Sequence, residues 1–443
     1  MADMNDMSIA EKALDNKLEA GIKAGQNGSA SSHIVQTLPM FSAEDYFTKG
    51  QWDADQKEFQ SLTPVYLGYP EFDREQPLYV GMYVFMAGSG IGKTTFLGSA
   101  ADNMAAAGNH VLFFSFEQTA HEMYAKSLAR YINRRYHQNS DPSLYQYDRF
   151  TAMSIRRGHA DGKTELNEQM DAYVKDVSNR LSIVSCTLDT TVEDILDSVD
   201  TYMHVHNVRP VVIIDYLQII QATEVNGRIL PDERLNLDHI VKSLKQYQKD
   251  NKLVMILISS VNRENYLQVT DMSSMKSSSL IEFSADFVAG LNMAVMLDEG
   301  FETKSSGRGK KDTTTNDKRL MLGDAKGADE RDVVLRVVKN RYGKANMMFF
   351  FEYEPAYDTF TSVNMLTSIA HQNAAKNNSA SDSSTATKDS KDDAGSDVST
   401  VFSDKDERSS GNFSLKKQSV ENADVNDFMI KCLSKKAEKK DED

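Results

Sequence analysis

Met82-Tyr83-Val84-Phe85-Met86-Ala87-Gly88-Ser89-Gly90-Ile91-Gly92-Lys93-Thr94 runs from an unbroken apolar stretch into a glycine-rich turn that closes on Lys-Thr. Six apolar residues in a row suit a strand buried on both faces. Residues 94–107 read as a helix, stopped by Gly108 as its C′ residue. A strand, a glycine turn and a helix in that order are the setting of a P-loop. The general pattern begins with Gly, where this chain has Ala87, but Gly88, Ser89, Gly90, Ile91, Gly92, Lys93 and Thr94, with Thr95 behind them, keep the chemistry. Glycines let backbone N–H groups curl around phosphates, Lys93 sets an ammonium against the β and γ oxygens, and Thr94 offers a hydroxyl to Mg²⁺. ATP and Mg²⁺ are therefore the expected ligands.

Outward from this turn the same apolar grammar repeats. Residues 111–116 form a second buried-type strand, completing a strand–helix–strand unit with a right-handed crossover. Further strands are expected at 182–185, 211–215, 254–259, 288–297, 333–338 and 347–351, with helices at 120–131, 192–206 and 235–249. The expectation is an α/β domain with a mostly parallel sheet flanked by helices. Val211-Val212-Ile213-Ile214-Asp215 is an apolar strand ending in a carboxylate, so Asp215 should face Lys93 across the crevice at the strand ends and hold the metal through water. Glu117, ending the strand next to the P-loop helix, is the candidate for orienting the attacking water. The competing reading makes Glu117 an N-cap acid of the following helix.

Composition bounds the rest. The chain has 443 residues and a formal net charge of −15. Acidity argues against a protein that coats nucleic acid but not against a ring, whose channel needs only a few inward cations. Cys186 and Cys432 stand far apart, without zinc or disulfide spacing, and no apolar run matches a bilayer or a signal peptide, so a cytoplasmic protein with no membrane partner is expected. Residues 1–65 read as an N-terminal extension, with an amphipathic helix at 8–22 on a flexible linker. Residues 66–365 form the catalytic domain, with a mobile Gly/Ser/Lys-rich insertion at 301–331. Residues 366–443 form a polar, disordered tail carrying a short partner-docking helix at 425–433.

Four blocks, residues 87–95, 114–118, Ile213-Ile214-Asp215-Tyr216-Leu217-Gln218 and Ile258-Ser259-Ser260-Val261-Asn262-Arg263, resemble the motor domain of DnaB-type replicative helicases. That family also carries Ala at the first P-loop position. Residues 276–286 resemble its segment leading from a DNA-facing loop into the next strand, and Lys339-Asn340-Arg341-Tyr342-Gly343 resembles its Lys-x-Arg-x-Gly finger. The resemblance spans about residues 66–360. It implies a RecA-like P-loop core, a homo-oligomeric ring, usually a hexamer, and ATP-driven movement on single-stranded DNA in replication. Primase or a loader would be partners. It also implies that Arg341, with Lys339 beside it, completes the site of the neighbouring subunit. The bland alternative is two exposed charges on an edge strand.

The resemblance further implies DNA contacts in the stretches at 221–234 and 265–279, which contain Arg228, Lys276, Ser277 and Ser278. Hydroxyl and backbone donors can position a phosphate backbone without side-chain charge. Two departures stand out: Ser260 occupies a position where the family usually has Gln, and the 65 leading residues are too few for the family's helical N-terminal domain. They leave a second reading open, a nucleotide-gated assembly or loading ATPase that does not unwind DNA, and a recombinase as a third.

Overall fold

The computed structural model describes residues 40–139, 150–158, 163–221, 232–275, 279–302 and 313–363. The helices expected at 8–22 and 425–433, and the residues Arg228, Lys276, Ser277 and Ser278, lie outside the described residues. The chain divides into two units, 1–380 and 381–443, and every described residue belongs to the first.

In chain order the elements are α1 (Ala43–Thr48), α2 (Gln51–Ser61), α3 (Pro70–Glu75), β1 (Gly81–Ala87), α4 (Lys93–Ala106), β2 (Val111–Ser115), α5 (Ala120–Asn139), α6 (Ala152–Arg156) and α7 (Lys163–Val177). There follow β3 (Leu181–Ser185), α8 (Val192–His206), β4 (Val211–Asp215), α9 (Glu233–Asn251), β5 (Val254–Ser260), α10 (Ser279–Ser284), β6 (Phe287–Met293) and α11 (Glu299–Glu302). Helix α12 (Thr315–Gly327) and strands β7 (Arg331–Asn340), β8 (Met348–Glu354) and β9 (Thr359–Val363) complete the described fold.

One sheet holds all nine strands in the order β3-β2-β4-β5-β1-β6-β7-β8-β9. Neighbours from β3 to β6 are parallel, and β6 to β9 are antiparallel. The apolar runs explain the layering, because successive side chains point to opposite faces. Tyr83, Phe85 and Ala87 of β1 join one core with Phe96, Leu97 and Ala100 of α4, Leu128 and Ile132 of α5, and Phe351 and Phe360 of the hairpin strands. Met82, Val84 and Met86 face the other way, into a second core with Ile195 and Val199 of α8 and Ile240, Val241 and Leu244 of α9. Phe96 has no exposed surface and stacks on Tyr69 at 4.7 Å between centroids, a burial worth about 1.5–3 kcal/mol.

The 301–331 stretch, expected as a mobile loop, is in part ordered helix. Thr314 and Asp317 form a reciprocal capping box at the start of α12, and Leu322 packs into the first core. Strand β6 is shorter than expected, because residues 294–297 turn into a 3₁₀ helix. Strand β9 extends the antiparallel part of the sheet beyond the strands that the apolar runs mark. Among the described residues no helix is long and apolar enough to cross a membrane.

Candidate nucleotide-binding site

The parallel register brings four strand ends to one side of the sheet. Ala87 pairs with Ser260 across β1 and β5, and Ser115 pairs with Asp215 across β2 and β4. The turn after β1 runs straight into α4, with Gly92 as its N-cap. Gly90 and Gly92 take φ of +76° and +106°, the left-handed region that favours glycine. A Cβ on Gly92 would also come within 3.1 Å of the Phe360 ring. Lys93 folds back over this turn, and its Nζ donates to the carbonyls of Ala87 at 3.1 Å and Gly88 at 3.2 Å. The loop therefore presents a cation and the first-turn amides of α4 to one crevice, which is what a polyphosphate needs.

The Thr94 hydroxyl donates to Asp215 Oδ2 at 2.5 Å. Asp215 is 1% exposed, and burial pushes its carboxyl up to about 6. The Thr94 hydrogen bond opposes that shift, the Glu117 charge adds to it, and the Lys93 ammonium opposes it. A hydroxyl and a buried carboxylate in contact are hard oxygen donors. They fit Mg²⁺, which is held by one or two protein oxygens together with substrate phosphates rather than by an all-protein cage. Burial also lowers the Lys93 ammonium, while Asp215 and Glu117 work to raise it. For Asp215 the folded pKa lies above its free value of 3.8, so its contribution to stability is fully present below about 4 and lost as pH rises through about 6. Asp215→Asn keeps the shape and removes the buried charge. At pH 7 it should gain roughly 3 kcal/mol, several degrees of melting temperature, while any metal-dependent hydrolysis that the site supports should fall. Paired melting and hydrolysis measurements check both.

Glu117 is held in the same corner. Ser115 Oγ accepts from the Gln118 amide at 3.1 Å and donates to the Gln118 carbonyl at 2.8 Å, and the Phe116 amide donates to the Asp215 carbonyl at 2.9 Å. This tight turn leaves the Glu117 side chain exposed, near enough for its charge to act on Lys93 and Asp215. The N-cap reading of Glu117 does not hold. The Thr119 amide donates to Glu122 and the Glu122 amide donates to Thr119 Oγ1, so that pair caps α5.

Lys339 and Arg341 lie elsewhere. Asn340, at the end of β7, pairs with Phe287 at the start of β6, the side of the sheet opposite the P-loop. The register sets Asn340 level with Tyr83, four residues from Ala87 and so roughly 13 Å from it along the strands at the usual rise, and Arg341 lies one residue further. Strand β7 sits between β6 and β8, so the edge-strand reading fails too. Arg341 donates to Asp286 Oδ1 at 2.7 Å and to the Phe283 carbonyl at 3.2 Å, and Lys339 donates to the Glu282 carbonyl at 2.5 Å. Asp286 is buried and also holds Lys245 at 2.6 Å.

A model of the DnaB-like helicase C-terminal domain matches residues 79–362, a span that runs from just before β1 into β9 and includes all the groups just described. The chain belongs to the DnaB-like helicase C-terminal domain family. A probable replicative DNA helicase of Trieres chinensis is 22% identical over 329 residues, which cover 72% of this chain and 64% of that protein. Among solved structures, one of a separate ATPase domain superposes with a TM-score of 0.53 at 17% identity, over 73% of this chain and 100% of that one. A DnaB-like replicative helicase, described with its interactions with primase, gives 0.52 at 17% identity over 80% and 75% of the two chains. These structural likenesses show the fold alone, a RecA-like arrangement of a mostly parallel sheet flanked by helices.

This DnaB-like domain contains site residues that sequence reasoning passes over. Gln218, just after the β4 carboxylate, donates from Nε2 to Ser259 Oγ at 2.8 Å and accepts from the Ser260 amide at 3.2 Å. A polar bridge thus links the ends of β4 and β5, although Ser260 itself is short. Thr95 does not offer its hydroxyl to a nucleotide. It is buried and donates to Asp358 Oδ1 at 2.8 Å. Asp358, in the turn between β8 and β9, accepts from Arg130 at 2.9 Å, and Arg130 also donates to Asp102 at 2.8 Å. The P-loop helix is therefore pinned from behind by a buried ionic cluster. From α12, Lys326 Nζ donates to the Ser89 carbonyl at 2.7 Å.

Proposed function

We propose that this chain is an ATP-driven DNA helicase motor acting in replication, and that it works as a homo-oligomeric ring, a hexamer by family resemblance. The observation that carries this reading is the separation of Lys93 from Arg341 on opposite sides of one sheet. A single copy holds a phosphate loop, a metal-binding pair and an acid on one side and the finger on the other. Head-to-tail packing brings the two together, since heterologous contacts join unlike faces and close into rings.

In the composite site, Lys93 and the α4 amides bind the β and γ oxygens, and Thr94 and Asp215 would hold the metal. Mg²⁺ held there would supply positive charge against the charge that develops on the phosphate oxygens. Glu117 orients the attacking water and accepts its proton. Arg341 of the partner subunit, with Lys339 beside it, stabilises charge on the transferred phosphoryl group. Gln218 connects the metal-binding strand to β5 and to the loop after it. That loop is held by the Asn262 amide donating to the Ser274 carbonyl at 2.9 Å and by the Asp271–Ser274 capping box. It leads to Lys276, Ser277 and Ser278, which with Arg228 are the proposed contacts to single-stranded DNA. Primase, named for one structural relative, is a proposed partner, and a cytoplasmic setting follows from the function.

The test is the steady-state ATPase rate against protein concentration, with and without single-stranded DNA. Stimulation by DNA that steepens with concentration supports the motor. A rate indifferent to both would favour the assembly or loading ATPase.

A further inference from the structure

We propose that Lys326 is a second phosphate-binding cation of the nucleotide site, delivered within the same subunit by α12. The proposal rests on the P-loop reading above and adds to it a residue from the far side of the crevice. Helix α12 is fixed at several points. The Thr314–Asp317 capping box sets its start, Leu322 is buried in the first core, and the Lys318 ammonium lies 5.1 Å from the centre of the Phe301 ring. Its last turn then reaches over the glycine loop, where Lys326 Nζ bonds the Ser89 carbonyl at 2.7 Å and lies 4.0 Å from where a Cβ on Gly90 would stand.

Two ammonium groups consequently rest on three successive loop carbonyls, Lys93 on Ala87 and Gly88 and Lys326 on Ser89. The charge of Lys326 is close enough to bear on Lys93, and half-burial lowers its own ammonium. Two like charges gathered over a loop of this type repel each other until an anion lies between them. A neutral carbonyl is also a weaker acceptor than a phosphate oxygen, whose charge-assisted bonds are roughly twice as strong. A nucleoside di- or triphosphate therefore takes Lys326 from Ser89. Because α12 is followed closely by β7, which carries Lys339 and ends at Asn340 just before Arg341, nucleotide occupancy in one copy bears on the element that carries the finger toward the next.

The experiment is a titration of the full chain with a fluorescent ADP analogue, for the parent protein, Lys326→Ala and Lys326→Arg. It is joined to hydrogen exchange of α12 with and without the nucleotide. Lys326→Ala should bind about tenfold more weakly, with an unchanged melting temperature in the absence of nucleotide, and Lys326→Arg should recover most of the loss. Nucleotide should slow exchange in α12 of the parent and leave that of Lys326→Ala unaltered. The proposal is overturned if the parent binds the analogue and Lys326→Ala binds it equally well with the same α12 protection. If the folded parent binds no nucleotide at all, the P-loop reading fails and this proposal fails with it.

Discussion

Arg341→Ala is expected to lower ATP hydrolysis by about a thousandfold or more, the range seen when an arginine is removed from a phosphoryl-transfer site, while nucleotide affinity changes little. The geometry explains the split. Arg341 lies on the side of the sheet opposite its own P-loop, so its loss leaves Lys93, Thr94, Asp215 and the glycine loop as they were. The fold should also survive. Asp286, which accepts from Arg341, keeps Lys245 at 2.6 Å and the Met82 amide at 2.9 Å, so no buried carboxylate loses its last partner. Nucleotide titration, melting and a hydrolysis assay together separate this outcome from simple misfolding.

Arg130→Ala should cost about 3–5 kcal/mol of stability, because it removes one partner from a buried ion cluster. Arg130 is 2% exposed and bridges Asp102 and Asp358, two carboxylates with little access to water. Lys126 at 3.2 Å from Asp358 and the Tyr173 hydroxyl at 2.9 Å from Asp102 compensate only in part. A second effect follows through Thr95. Its bond to Asp358 fixes the first turn of α4, so the variant should also bind nucleotide more weakly than its residual folded fraction explains. Urea unfolding gives the first quantity, and nucleotide titration of the folded fraction gives the second.

The parts of this account legible in the sequence are those written in contiguous residues. Strands β1, β2, β4 and β5 are buried on both faces and so appear as unbroken apolar runs. The glycine loop, Asp215 and Glu117 follow from their places at the ends of those strands. What escapes such a reading depends on partners far apart in the chain. Thr95 meets Asp358 across 263 positions, and Lys326 meets Ser89 across 237, which no local pattern encodes. Helix α12 sits in a polar stretch with Leu322 as its one buried residue, so its apolar periodicity is faint. Its visible signal is the spacing of Thr314 and Asp317. Gln218 stands within a recognisable motif, yet its bridge to Ser259 and Ser260 emerges only when β4 and β5 are adjacent.

The central claim is that each hydrolytic site is shared between two copies, and mixing two inactive variants tests it most directly. Lys93→Ala lacks the phosphate-binding lysine and Arg341→Ala lacks the finger, so each alone should be inactive. In a mixed ring, an Arg341→Ala subunit beside a Lys93→Ala subunit forms one complete site. With equal amounts and random assembly at a head-to-tail interface, about a quarter of the sites are whole. The account predicts that DNA-stimulated hydrolysis reappears on mixing, up to about a quarter of the parent rate. A mixture that hydrolyses no faster than the sum of its two components, although both variants co-assemble, would contradict it.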